Sequence, residues 1–126
     1  TQYEADPLIE HFGGAEATGP IVTKFAEEGR SPLARRIVDE MLRLLAVESG
    51  NLALKSWSSG GVFLGGNVLH RLVPFLQNED FVSHFRAKGR FAAKLESFPL
   101  YILPEKELAL LGATRYVARD SRMESR

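Results

Sequence analysis

Cysteine is absent from this chain, which excludes disulfide staples, thiolate nucleophiles and cysteine zinc sites and suits a reducing cytosol. No run of about 18 uninterrupted apolar residues occurs, so no membrane span is expected, and the acidic N-terminus lacks a signal-peptide pattern. An excess of charge of either sign is missing too. The 16 Lys and Arg side chains balance 16 Asp and Glu, leaving no net field to draw the chain onto nucleic acid or an anionic membrane. The expectation is a cytoplasmic protein with neither nucleic acid nor membrane as a partner.

What is present is 126 residues at 44% hydrophobic composition, enough for one domain and too few for two of ordinary size. The chain begins at Thr1 without an initiator methionine, inside a segment that already reads as structured, which points to a fragment of a longer protein. A short amphipathic helix is expected over residues 4–12, closed by Gly13 and Gly14, followed by a small-residue connector. Pro20 suits the first turn of a second helix through Ile21, Val22 and Phe25, with Gly29 as its stop.

The best-signalled element opens at "SPLARRIVDEMLRLL", where Ser31 can cap and Pro32 fits a position whose N–H would be unpaired anyway. Leu33, Ile37, Met41, Leu44, Leu45 and Leu52 predict its core face, and Arg35, Arg36, Asp39, Glu40 and Arg43 its solvent face. It is expected to reach about Lys55, with Ser49, Gly50 and Ala53 allowing close contact.

Val62, Phe63 and Leu64 read as a short strand buried on both faces, because nothing polar alternates with them. Asn67 then caps a helix that Pro74 must bend or end, and Asn78 caps another carrying Phe81, Val82 and Phe85. After Gly89 comes a helical turn over residues 91–95, then a second strand in "FPLYILP", with Pro104 as its stop. A last helix is expected over residues 106–119, with residues 120–126 as a disordered polar tail. Two apolar strands separated by helices imply a parallel pair joined by a crossover. A lone parallel pair shares too little burial to persist, so either helices dominate the fold or further strands belong to residues outside this chain.

The stretch "GGVFLGGN" raises the functional question. Gly60, Gly61, Gly65 and Gly66 flank a strand that leads into a helix, the place where open α/β sheets bind ligands. Close strand–helix packing explains the same glycines equally well. The stretch is neither a phosphate loop, since Asn67 and not lysine follows Gly66, nor a dinucleotide fingerprint. His11, His70 and His84 lack metal-ligand spacing, so no metal site is expected. "HFRAKGRFAAK" mixes cations with phenylalanines in a way that RNA-binding segments share, but a solvated helix face accounts for it better. Ser56, Ser58 and Ser59 lack the context of a nucleophile elbow, and no carboxylate pair is spaced for acid–base work, so no catalytic residue is assigned.

Five blocks, "GNLAL", "GGVFLGGNVLHRL", "FRAKGRF", "FPLYIL" and "LLGA", stand in an order and at spacings that resemble the C-terminal part of bacterial glucokinase. That family sits within the hexokinase and actin-like ATPase group, and the resemblance covers residues 20–119. It implies a helix-rich part of a ribonuclease H-like α/β domain with two short parallel strands. It further implies an ATP- and Mg2+-dependent kinase converting glucose to glucose 6-phosphate, in which Gly65, Gly66 and Asn67 lie against the adenosine of ATP. The family usually has glycine where this chain has Asn67, and commonly proline where it has His70. Its phosphate-binding segment, sugar-site residues and proton-accepting aspartate precede the matched region, so the chain alone is expected to be inactive. It would work with the missing N-terminal part, or as a homodimer. The other reading is a non-catalytic module for protein interaction or regulatory nucleotide binding.

Overall fold

A computed structural model describes residues 3–12, 18–76, 79–103 and 105–123, with side chains through residue 119. The expected roles of Gly13, Gly14, Asn78 and Pro104 lie outside the described residues. The order is α1 (Pro7–His11), α2 (Gly19–Glu27), α3 (Pro32–Ser56), β1 (Val62–Leu64), α4 (Asn67–Leu72), α5 (Glu79–Arg86), α6 (Ala92–Glu96), β2 (Leu100–Ile102) and α7 (Leu108–Met123).

Asp6 organises the start of the helical block. Its carboxylate accepts from the Leu8 N–H at 2.9 Å, capping α1 ahead of Pro7, and from the Ser31 hydroxyl and the Leu33 N–H at the start of α3. Ser31 in turn accepts from the Ala34 N–H at 2.8 Å, the cap its sequence predicts. Burial opposes ionisation of Asp6, but the hydrogen bonds from Ser31, Leu33 and Leu8 outweigh it and hold the carboxyl below its ordinary value. Two helix entrances separated by 25 residues thus share one side chain.

The 25 residues of α3 end where expected, at Ser56. Its core face is the expected one only in part: Leu33, Ile37 and Leu45 pack against the core and Ser49, Gly50 and Ala53 are buried as expected. Ala34, Val38, Leu42, Ala46, Ser49, Gly50 and Ala53 are buried, whereas Met41, Leu44 and Leu52 are exposed. At Gly50 the neighbouring helix approaches too closely for any side chain: a Cβ there would run into the Phe85 carbonyl of α5. Lys88 closes the same contact by donating from Nζ to the Val47 carbonyl at 2.8 Å. Phe81 and Phe85 of α5, Phe25 of α2 and Leu95 of α6 complete the core. Each such fully buried large side chain stabilises the fold by about 1.5–3 kcal/mol. The seam ends at Trp57, a left-handed residue with φ 50°, whose ring meets Phe98 edge-on with centroids 5.9 Å apart.

β1 and β2 pair in parallel, Val62 opposite Leu100, Phe63 opposite Tyr101 and Leu64 opposite Ile102, which bears out the expected pairing. Further bonds run from the Val62 N–H to the Pro99 carbonyl and from the Leu103 N–H to the Leu64 carbonyl, both 2.8 Å. Burial on both faces is not borne out. Val62, Leu64 and Leu100 turn to the core, but Phe63 is 60% exposed and stacks at 4.8 Å on Tyr101, which is also exposed. Their apolar character has no cover among the described residues. α4 stops at Leu72 and gives way to a 3-10 turn, Val73–Phe75, at Pro74 as predicted. α7 continues to Met123, four residues past its expected end and into the presumed tail, and every residue from Ala109 to Arg119 is exposed.

Candidate functional site

The turn that leaves β1 puts three residues in three situations. Gly65 is exposed but sits against the first residue of α7: a Cβ there would strike the Leu108 side chain and come within 3.3 Å of Leu103. Gly66 has φ 110° and ψ 169°, a conformation L side chains rarely adopt, and nothing lies within 4 Å of the place its Cβ would occupy. Gly66, not Asn67, is the N-cap of α4, and no side chain caps that helix. Asn67 is the first helical residue because the glycine has already turned the chain, leaving the Asn67 carboxamide nothing to cap. It is exposed and without a hydrogen-bond partner among the described residues.

The pair that enters the strand divides the same way. A Cβ on Gly61 would lie 2.7 Å from the Tyr101 ring and 3.0 Å from the Pro99 carbonyl, whereas Gly60 meets nothing. Packing accounts for Gly61 and Gly65, and the open positive-φ turn at Gly66 is what a packing argument leaves over.

From Asn67 a groove of about 470 Å³ runs between α2, α3 and α4. Val22, Ile37, Met41, Val68 and Leu72 give it an apolar lining, with Thr23, Asn67 and Arg71 as polar members. Thr23 directs its hydroxyl to the Gly19 and Pro20 carbonyls at 3.1 Å, which leaves Asn67 and Arg71 available. The sequence did not reveal this groove because Met41, which lines it and is exposed, reads as a core residue.

A second cleft of about 340 Å³ lies between α3 and α5. Four of its charged side chains form two ion pairs along α3. Arg35 meets Asp39 at 2.9 Å, and Arg43 grips Glu40 with two bonds of 2.9 and 2.6 Å. The Arg43 hydrogen bond, helped by the positive charge around it, lowers the Glu40 carboxyl below its ordinary value against a smaller opposing effect of burial.

The remaining sequence candidates occupy structural posts. Lys88 is tied to Val47, Lys94 sits 5.0 Å over the Trp57 ring, and Arg90 lies 5.1 Å over Phe91, so cations of the basic segment serve packing. His11 packs against Phe12 and Phe25, and among the described residues no group of three His, Asp or Glu could hold a metal ion. Ser56 bonds to the Leu52 carbonyl and to Ser58. Asp6 was also missed, although Asp before Pro at a helix start is a legible cap signal.

The family model described as Glucokinase matches residues 3–120, so the match takes in α1, which sequence reading left unanchored. The glucokinase of Colwellia psychrerythraea is 36% identical over 89 residues, 71% of this chain and 27% of that protein. The glucokinase of Trichormus variabilis is 32% identical over 113 residues, covering 87% of this chain and 33% of the relative. A Neisseria meningitidis serogroup A glucokinase is 35% identical over 111 residues, 88% of the chain and 34% of the relative. The chain thus spans about a third of the length of these curated relatives. No solved structure was found to match it.

Proposed function

This chain belongs to the glucokinase family, and from that premise we propose that it is the C-terminal segment of an ATP-dependent kinase that converts glucose to glucose 6-phosphate. In this reading Gly65, Gly66 and Asn67 form the adenosine-side wall of the ATP site. The observation that carries it is the turn at Gly66, whose positive φ opens backbone to space that no neighbour fills. A nucleotide can approach bare backbone there as it cannot approach a side chain.

The segment supplies a wall and not a reaction centre. Phosphoryl transfer needs the nucleotide, a metal ion and the acceptor hydroxyl held together. The acidic and histidine side chains described here do not gather into a magnesium site. In this reading the metal ligands, the base and the sugar contacts belong to the two-thirds of the protein that the relatives possess beyond this match. The bare face of Phe63 and Tyr101 fits the same picture, as part of an actin-like domain whose other elements lie in that remainder. No helix among the described residues is long and apolar enough to cross a membrane, and we place the enzyme in the cytoplasm.

The test is direct. The purified 126-residue chain, given ATP, magnesium and glucose, is expected to form no glucose 6-phosphate, while ATP shifts the amide resonances of Gly65, Gly66 and Asn67. Turnover at a normal rate would overturn the division of labour. Silence of those amides at millimolar ATP would remove the wall and favour a module that binds other proteins through its bare sheet face.

A further inference from the structure

We infer that Leu108, the first residue of α7, is a positioning residue for the turn at Gly65 and Gly66: it supplies from outside the side chain that this turn lacks, and so ties the geometry of the turn to the position of α7. The inference rests on the reading of Gly65, Gly66 and Asn67 as the nucleotide wall.

Glycine loses more conformational freedom on ordering than any other residue, and two in succession bring no side chain with which to hold one conformation. The turn is nonetheless fastened at both ends. Before it, the Leu64 carbonyl accepts from the Leu103 N–H at 2.8 Å; after it, the Gly66 carbonyl accepts from the His70 N–H at 3.0 Å. Between these bonds the Leu108 side chain occupies the place a Gly65 Cβ would take, with Leu103 beside it. Leu108 owes its own place to local bonds. The Glu105 carboxylate accepts from the Glu107 N–H at 3.1 Å, and the Glu107 carbonyl accepts from the Leu111 N–H at 2.9 Å. No described residue of α7 belongs to the core cluster, and every one from Ala109 to Arg119 is exposed. A movement of α7 therefore reaches the rest of the chain at the turn and not in the core. Backbone that is already ordered binds a ligand more tightly than backbone that must be ordered on binding, so Leu108 acts on nucleotide affinity without being part of the wall.

The test exchanges volume across this contact in the 126-residue chain, with ATP as the probe. Leu108→Ala is expected to move the Gly66 and Asn67 amide resonances before any nucleotide is added, and to weaken ATP binding about fivefold, the lower end of typical coupling between sites. Its urea midpoint should stay close to the parent's. Gly65→Ala, whose methyl group would run into Leu108, should disturb the same amides. The double variant puts that methyl group into the volume the leucine vacates, with Leu103 at 3.3 Å having to yield only slightly. Its amides and its ATP affinity should return to within about twofold of the parent, the non-additivity expected of residues in contact. Unmoved Gly66 and Asn67 amides in Leu108→Ala overturn the inference, and so do additive losses in the double variant. A fall in the urea midpoint as large as that of Phe85→Ala makes Leu108 a core residue and overturns it as well. If ATP leaves the parent's amides unmoved while Leu108→Ala shifts them and the double variant restores them, the wall reading falls and the tie between α7 and the turn is upheld.

Discussion

The helical block of α2, α3, α5 and α6 and the group formed by β1, β2 and α7 are both rich in apolar residues, yet they place them differently. In the block Ala34, Val38, Ala46 and Ala53 are wholly buried, and large residues interlock around them. In the second group Phe63, Tyr101, Leu110, Tyr116 and Val117 stand in solvent. A small-residue seam is a finished contact, since it works only at the separation its partner already has. Exposed aromatic and aliphatic side chains on a strand face and a helix are an unfinished one, and their extent exceeds the scattered apolar residues any surface carries. One region is folded against itself, and the other is shaped for something more.

If that contrast is right, the block carries the stability of the chain. Phe85→Ala should be the most damaging substitution, removing about 3–5 kcal/mol as a large core aromatic does, seen as a lowered midpoint in urea denaturation. Gly50→Ala comes next. Its methyl group would meet the Phe85 carbonyl and the Lys88 stem, and separating α3 from α5 to make room should cost about 1–3 kcal/mol. A variant as stable as the parent would mean that the seam is looser than its geometry indicates, and the contrast would weaken.

A smaller effect tests how the block is closed at its edge. The Asp6 carboxyl is held below its ordinary value when folded, so its contribution is fully present above the unfolded carboxyl value and is lost as pH falls through the folded one. Stability followed by circular dichroism should decline with acidification, and Asp6→Asn should flatten that decline while lowering stability at neutral pH. An unchanged acid profile in Asp6→Asn would assign the pH dependence to Glu40, whose carboxyl is also lowered.

The legibility of the sequence follows the same divide. Some caps and stops were readable because they are local chemistry, Ser31 before Pro32 and Pro74 at the end of α4, although the cap at Asn67 belongs to Gly66 and that at Asp6 was missed. The strands and their parallel pairing were readable from apolar runs bounded by glycine and proline. The core face of α3 was readable in part: Leu33, Ile37 and Leu45 and the close contact at Ser49, Gly50 and Ala53 hold, but Met41, Leu44 and Leu52 face solvent because hydrophobic periodicity ranks leucine and methionine above the alanines that take the seam. Burial of β1 was misjudged for a related reason. Phe63 has the composition of a two-sided strand, but its second cover does not lie among the described residues. At the site, Gly65 and Gly66 look identical in sequence, and only the position of Leu108 and the φ of Gly66 tell them apart. The groove beyond Asn67 joins residues from Gly19 to Leu72 and has no contiguous signature.

The smallest expected effect is the one that most sharpens the contrast. Phe63→Ser and Tyr116→Ser each remove a large apolar side chain, a change that costs several kcal/mol in a core. In this chain Phe63 keeps 60% and Tyr116 73% of its surface in water, so there is little burial to lose: Tyr116→Ser should stay within about 0.5 kcal/mol of the parent and Phe63→Ser within about 1.5 kcal/mol. Phe63→Ser sacrifices in addition the stacking on Tyr101, so it should be the more costly of the two. The same substitutions in a protein carrying the full length of the glucokinase relatives should be far more damaging, because the covering elements would then be present to lose their contacts. Equal, small effects in both lengths would show that the exposed surface is an exterior after all. Large effects already in the 126-residue chain would show that it is covered by a second copy, and sedimentation would then find dimers.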